Sequence, residues 1–117
     1  MKNIDITERT FKFSLEIIKL SNELPKSPAG FRIGGQIVGS GTSIGANIQE
    51  AQSASSKKDF ICKMSISLRE ARETQYWLKI IYDSGLIRSD KIKLLIYENE
   101  EIIKILVSII KNTKSNS

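Results

Sequence analysis

The stretch Gln36-Ile37-Val38-Gly39-Ser40-Gly41-Thr42-Ser43-Ile44-Gly45-Ala46-Asn47-Ile48-Gln49-Glu50-Ala51 decides the fold. Ile37, Gly41, Ile44, Ile48 and Ala51 recur at steps of four, three, four and three, which is the seam of a helix packed on another helix. Glycine in a helix interior costs about 1 kcal/mol relative to alanine, so Gly35, Gly39, Gly41 and Gly45 need a reason. They form two pairs four residues apart on neighbouring faces, a spacing that lets another helix backbone approach closely. One position behind the apolar seam, Gln36, Ser40, Ser43, Asn47 and Glu50 make a polar stripe with the same steps. Short Ser and Asn side chains are poor choices for a solvated helix face and suit hydrogen bonding across a close helix contact.

Working outward, a second helix over 31–53 gives way to the polar break Ser53-Ala54-Ser55-Ser56, and Ser56 with Asp59 predicts the cap of a third helix over 57–83. Its inward set is Phe60, Met64, Ser67, Ala71, Thr74, Leu78 and Ile81, and its answering stripe is Asp59, Lys63, Ile66, Glu70, Glu73 and Trp77. Asp83-Ser84-Gly85 predicts its end, since glycine tolerates the left-handed conformation that closes a helix. On the other side a first helix over 7–24, entered through Asp5 or Thr7, is expected to carry Phe11, Leu15, Ile18, Leu20 and Leu24 inward. Pro25-Lys26-Ser27-Pro28 resists helix. A fourth helix over 89–111, capped by Ser89 or Asp90, shows a wide apolar face of Ile92, Leu95, Ile96, Ile102, Ile103, Leu106, Ile109 and Ile110, interrupted by Asn99. The tail 112–117 is expected to fray. Connections this short favour antiparallel neighbours, so residues 1–117 read as one all-α domain, an antiparallel up-and-down four-helix bundle.

Composition narrows the chemistry. The chain has 117 residues with 18 Lys and Arg against 13 Asp and Glu, no histidine and one cysteine. Cys62 forms no internal disulfide, and the missing histidine removes the commonest general base and metal ligand, and with them serine-histidine, cysteine-histidine and Glu-x-x-His chemistry. The start Met1-Lys2-Asn3-Ile4-Asp5 lacks the apolar core of a secretory signal, and a reduced cytoplasmic setting with no membrane contact is the expectation. Gly41-Thr42-Ser43-Ile44-Gly45 spells a nucleophile elbow without the histidine or strand-turn-helix setting that chemistry requires. The dinucleotide and P-loop patterns fail at Ile44 and at Ser40-Gly41, and Ser55-x-x-Lys58 reads as a cap. Glu50, Glu70 and Glu73 offer an all-oxygen set for a hard cation, but ion pairing with Lys63, Arg69 or Arg72 is the better account. The reading is therefore no enzyme, no cofactor, no metal and no small-molecule substrate.

The net charge of +5 favours an anionic partner at low salt. Lys57, Lys58, Lys63, Arg69, Arg72 and Lys79 concentrate positive charge on the third helix, and Arg9, Lys12, Lys19, Lys26 and Arg32 do so near the first. Lys57, Lys58, Lys63, Arg69 and Arg72 are the candidate nucleic-acid contacts. No helix-turn-helix, zinc-finger or RNA-stacking signature accompanies them.

The run Gln36 to Ala51, with Asp59-Phe60-Ile61 and Leu68-Arg69-Glu70-Ala71-Arg72-Glu73-Thr74-Gln75-Tyr76-Trp77-Leu78, resembles the bacterial four-helix bundle proteins encoded by intervening sequences in 23S ribosomal RNA genes, once labelled S23 ribosomal proteins. The resemblance spans nearly the whole chain. It implies an up-and-down bundle that assembles as a homopentamer, and kinship with the accessory protein of diversity-generating retroelements, whose basic surface engages RNA and a reverse transcriptase. It also implies that Gln36, Ser40, Ser43, Asn47, Glu50, Glu70 and Glu73, with Trp77 at the end of the stripe, serve packing or assembly. Family members often carry arginine where this chain has Val38 or Gly39, which implies a smaller basic surface here. The partners expected are further copies of the chain and structured RNA or a nucleic-acid enzyme; the alternative is a protein-binding adaptor that touches no nucleic acid.

Overall fold

The structure, a computed structural model, describes residues 3–116. Its helices are α1 (Asn3–Glu23), α2 (Pro28–Ala51), α3 (Lys57–Ser84) and α4 (Asp90–Ser115), with no strand among the described residues. Each boundary has a local cause. Ser27 caps α2, its Oγ accepting from the Gly30 amide at 3.1 Å. Pro28 fills the first helical position, where no amide donor is needed, so α2 starts three residues before the expected residue 31. The turn is tight: a Cβ on Gly30 would collide with the Pro25 carbonyl oxygen. Ser56 caps α3 by accepting from the Asp59 amide at 3.0 Å, while the Asp59 carboxylate accepts from the Ser55 amide at 3.3 Å. Gly85, at φ 75°, ends it. Ser89 caps α4 through the Lys91 amide.

Three expectations are corrected at the ends of helices. α1 is already helical at Asn3, so Asp5 and Thr7 lie within it rather than at its entrance. α2 closes at Ala51, short of residue 53. Residues 112–115 of the tail are helical, because Ile110 still reaches the core and Thr113 Oγ1 donates to the Ile109 carbonyl at 2.7 Å; Ser117 lies outside the described residues.

Contacts between helices establish the up-down-up-down course. Ser67 Oγ donates to the Ile44 carbonyl at 2.8 Å, and Lys63 pairs with Glu50 at 3.1 Å, which sets α3 antiparallel to α2. Asn99 Nδ2 donates to the Ala71 carbonyl and Gln75 Nε2 to the Ile96 carbonyl, which does the same for α4 on α3. α1 packs on α2 and meets α4 only lightly. There the contact is electrostatic: Arg9 grips Glu98 with two hydrogen bonds (2.6 and 2.8 Å), and Lys91 holds Glu23 at 2.8 Å. The body measures 49 × 21 × 19 Å.

The α2 and α3 seams are buried as their spacing predicts, apart from the partly buried Phe60. α1 is different. Its buried stripe is Ile6, Thr10, Phe13, Ile17 and Leu20, continued by Leu24 just past its end, whereas Phe11, Leu15 and Ile18 are exposed (64, 45 and 42 %). Both stripes have helical spacing, but the first buries five large apolar side chains and the second offers three. At about 1.5–3 kcal/mol for each large aliphatic or aromatic side chain, the longer stripe wins. Asn99 does not interrupt the α4 face but sits inside it, wholly buried, donating to Ala71 and to Gln75 Oε1 (2.9 Å). Its Oδ1 has no partner among the described residues.

Candidate functional site

The polar stripes of α2 and α3 flank their shared seam. Ser40 is buried and its hydroxyl meets that of Thr74 at 2.9 Å. Ser43 donates back to the Gly39 carbonyl at 2.6 Å, Asn47 donates to the Ser43 carbonyl at 2.8 Å, and Gln36 lies half-buried alongside. The carboxylates are dispersed rather than convergent. Glu50 pairs with Lys63, Glu70 with Arg69 at 3.7 Å, and Glu73 accepts from Trp77 Nε1 at 3.2 Å. Among the described residues no group of three His, Cys, Asp or Glu side chains could hold a metal ion.

The glycines divide by face. A Cβ on Gly41 would lie 2.8 Å from Ile17 Cγ2, and one on Gly45 would lie 3.2 Å from Thr10 Oγ1, so this pair receives α1. A Cβ on Gly35 or Gly39 would meet nothing within 4 Å. Both stand exposed with Phe31 and Ala46 on the outside of α2, and residues 33–49 carry no charged side chain. On α1, Phe11, Leu15 and Ile18 are exposed apolar side chains set among the exposed charges of Glu8, Lys12 and Lys19. A hollow bounded by Glu8, Phe11, Gln49 and Gln52 bridges the two helices near one end, and another bounded by Leu24, Phe31, Gly35 and Val38 bridges them near the other.

The expected cations divide too. Lys63 lies toward α2, and its hydrogen bond to Glu50, with the attraction of that carboxylate, holds its ammonium above the ordinary lysine value. Arg9 and Lys91 are likewise raised, chiefly by their hydrogen bonds to Glu98 and Glu23. Lys57 and Lys58 are exposed at the start of α3. Lys58, Cys62, Ser65, Arg69, Arg72, Tyr76 and Lys79 follow one another at steps of four and three, and all are exposed. They form the outer stripe of α3, about 31 Å long at 1.5 Å per residue, with no carboxylate on it before Asp83. Sequence reasoning picks out its cations and misses Tyr76, although the spacing that places Tyr76 among them is visible in the sequence.

An antiparallel four-helix bundle with dispersed carboxylates, no histidine and two contrasting outer faces places the chain among small all-α bundle proteins. Residues 2–108 match the family described as 23S rRNA-intervening sequence protein, and the chain belongs to that family. It is also similar to a protein of unknown function from the S23 ribosomal protein family of Bacteroides thetaiotaomicron VPI-5482, whose crystal structure is known at 1.70 Å resolution. The two share 40 % identity and a TM-score of 0.88 over 95 % of this chain and 99 % of the other. No curated protein matches the chain. No helix among the described residues is long and apolar enough to cross a membrane.

Proposed function

We propose that this chain is a non-catalytic building block that assembles with copies of itself, as a pentamer, through the outside of α1 and α2, and presents the outside of α3 to RNA. The observation that carries this reading is the segregation of charge. The outside of α2 from residue 33 to 49 has none, while the outer stripe of α3 from Lys58 to Lys79 carries four cations, with exposed Glu73 on its flank and Glu70 paired to Arg69. Exposed apolar side chains beside glycines with open space above them suit a close helix-helix contact between subunits. A basic stripe left clear of that contact suits a phosphate backbone. With a net charge of +5 per chain, five copies bring together about 25 positive charges on one particle.

Light scattering at micromolar concentration tests the assembly, which a strict monomer refutes. Anisotropy of labelled RNA over a salt series tests the second half: binding that weakens with salt and disappears on charge reversal at Lys58, Arg69 and Arg72 supports it. Absence of binding at low salt leaves the adaptor as the function, since the same exposed apolar surface then serves a protein partner.

A further inference from the structure

The outer stripe of α3 ends at a hollow that cations alone do not explain. It is lined by Tyr76, Lys79, Ile80, Asp83 and Ser84. Tyr76 is 59 % exposed, and its ring has one aromatic neighbour. It stands edge-on to Trp77, with centroids 5.0 Å apart and planes at 76°, and Trp77 is itself held by the hydrogen bond from its Nε1 to Glu73. An aromatic ring open to solvent on one side and braced by a neighbouring ring on the other suits a stacking platform. Arg72 precedes Tyr76 by one turn and Lys79 follows it by one, so the ring lies between two exposed cations.

Asp83 closes the far side. It is two turns beyond Tyr76, about 10.5 Å along the axis, and lines the same hollow. No described residue pairs with that carboxylate. An unpaired carboxylate at the end of a phosphate-attracting stripe is unfavourable for a plain electrostatic surface. It is favourable if it accepts hydrogen bonds from a base edge.

We propose that this hollow takes one unpaired nucleobase of an RNA strand, guanine in preference, stacked on Tyr76 with its Watson–Crick edge toward Asp83 and its flanking phosphates on Arg72 and Lys79. Guanine presents two donors, N1–H and N2–H, side by side, which a carboxylate accepts in parallel; adenine and cytosine present one amino group, and uracil none that matches. A base inside a duplex has neither face free, so the site reads single strands, loops or bulges. The inference rests on the reading of α3 as the RNA-facing helix and specifies what that helix recognises.

The test uses the full chain, because its single tryptophan, Trp77, lies against Tyr76 and reports on the hollow directly. Guanine-containing and all-uridine single strands of about ten nucleotides, and a duplex of the same length, are titrated by anisotropy and by Trp77 emission. The guanine strand is expected to bind tightest and to shift the emission. Tyr76→Ala is expected to abolish that shift and weaken the guanine strand about tenfold, Tyr76→Phe to preserve both, and Asp83→Asn to level guanine with uridine. Anisotropy that rises while Trp77 is unmoved, or equal affinity in wild type and Tyr76→Ala, overturns the hollow and leaves the RNA reading of α3 intact. No anisotropy change at low salt with any of the three overturns both.

Discussion

The outsides of α2 and α3 face similar solvent in the single chain and carry opposite surfaces. From residue 33 to 49, α2 has no charge and exposes Gly35, Gly39 and Ala46; from Lys58 to Lys79, α3 exposes four cations, a tyrosine and one carboxylate, Glu73. Neither surface is explained by folding. Alanine at Gly35 and Gly39 meets no neighbour and makes a better helix, so those glycines forgo stability, and a run of like charges on α3 repels itself. The contrast follows if the two helices answer to different partners, one that needs close backbone approach and one that needs positive potential.

Charging the apolar face is the most severe way to break that contrast. Phe11→Glu with Ile18→Glu is expected to dissociate the assembly to monomers in sedimentation velocity, since each uncompensated buried charge costs about 3–5 kcal/mol, while the helical circular dichroism of the chain is unchanged. Charge reversal of Lys58, Arg69 and Arg72 comes next. RNA affinity should collapse and the salt dependence flatten by about 0.7 in logarithmic slope for each phosphate no longer neutralised, with thermal stability moving by no more than about 0.5 kcal/mol per site.

The open glycines distinguish the stability of the chain from that of the assembly. Gly35→Ala and Gly39→Ala should each raise the stability of the isolated chain by up to about 1 kcal/mol in denaturant titration, yet weaken self-association; a gain in both would refute close approach at these positions. Gly41→Ala, where the new Cβ lies 2.8 Å from Ile17, should show no such gain, because overpacking opposes helix propensity. The smallest effect is alkaline. Lys63 and Lys91 are held above the ordinary lysine value, so what their pairs contribute is whole below about pH 10.5 and fades as pH rises through the elevated folded values. Lys63→Met with Lys91→Met should lower thermal stability slightly across the neutral range and flatten the profile in the alkaline window, measured by thermal melts over a pH series.

Much of the bundle is legible in the sequence because helix seams announce themselves by spacing. Ile37, Gly41, Ile44, Ile48 and Ala51 on α2, and Met64, Ser67, Ala71, Thr74, Leu78 and Ile81 on α3, stand in the core where their periodicity puts them. Caps are legible at Ser56, Gly85 and Ser89, whose side-chain or backbone properties act within one turn. α1 is not, since it has two apolar stripes and periodicity alone does not rank them. Its rotation depends on a long-range fit, Ile17 against Gly41 and Thr10 against Gly45. Asn99 misleads for a related reason: a polar residue looks like an interruption until the Ala71 carbonyl and Gln75 are found opposite it. Of the functional surfaces, the cations are visible in order along α3. The withdrawal of Lys63 from the exposed cations needs Glu50 on another helix.

Four helices, their ends to within a few residues, their antiparallel course and the family are all written in the linear chain, because each follows from local periodicity, capping or a long run of matched residues. Which α1 stripe is buried, which glycines receive a helix and which stand open, and the support of the Tyr76 ring at the mouth of a hollow emerge only on folding. These depend on how helices rotate against one another. That rotation is set by side-chain volumes brought together from distant parts of the chain, which no local spacing encodes.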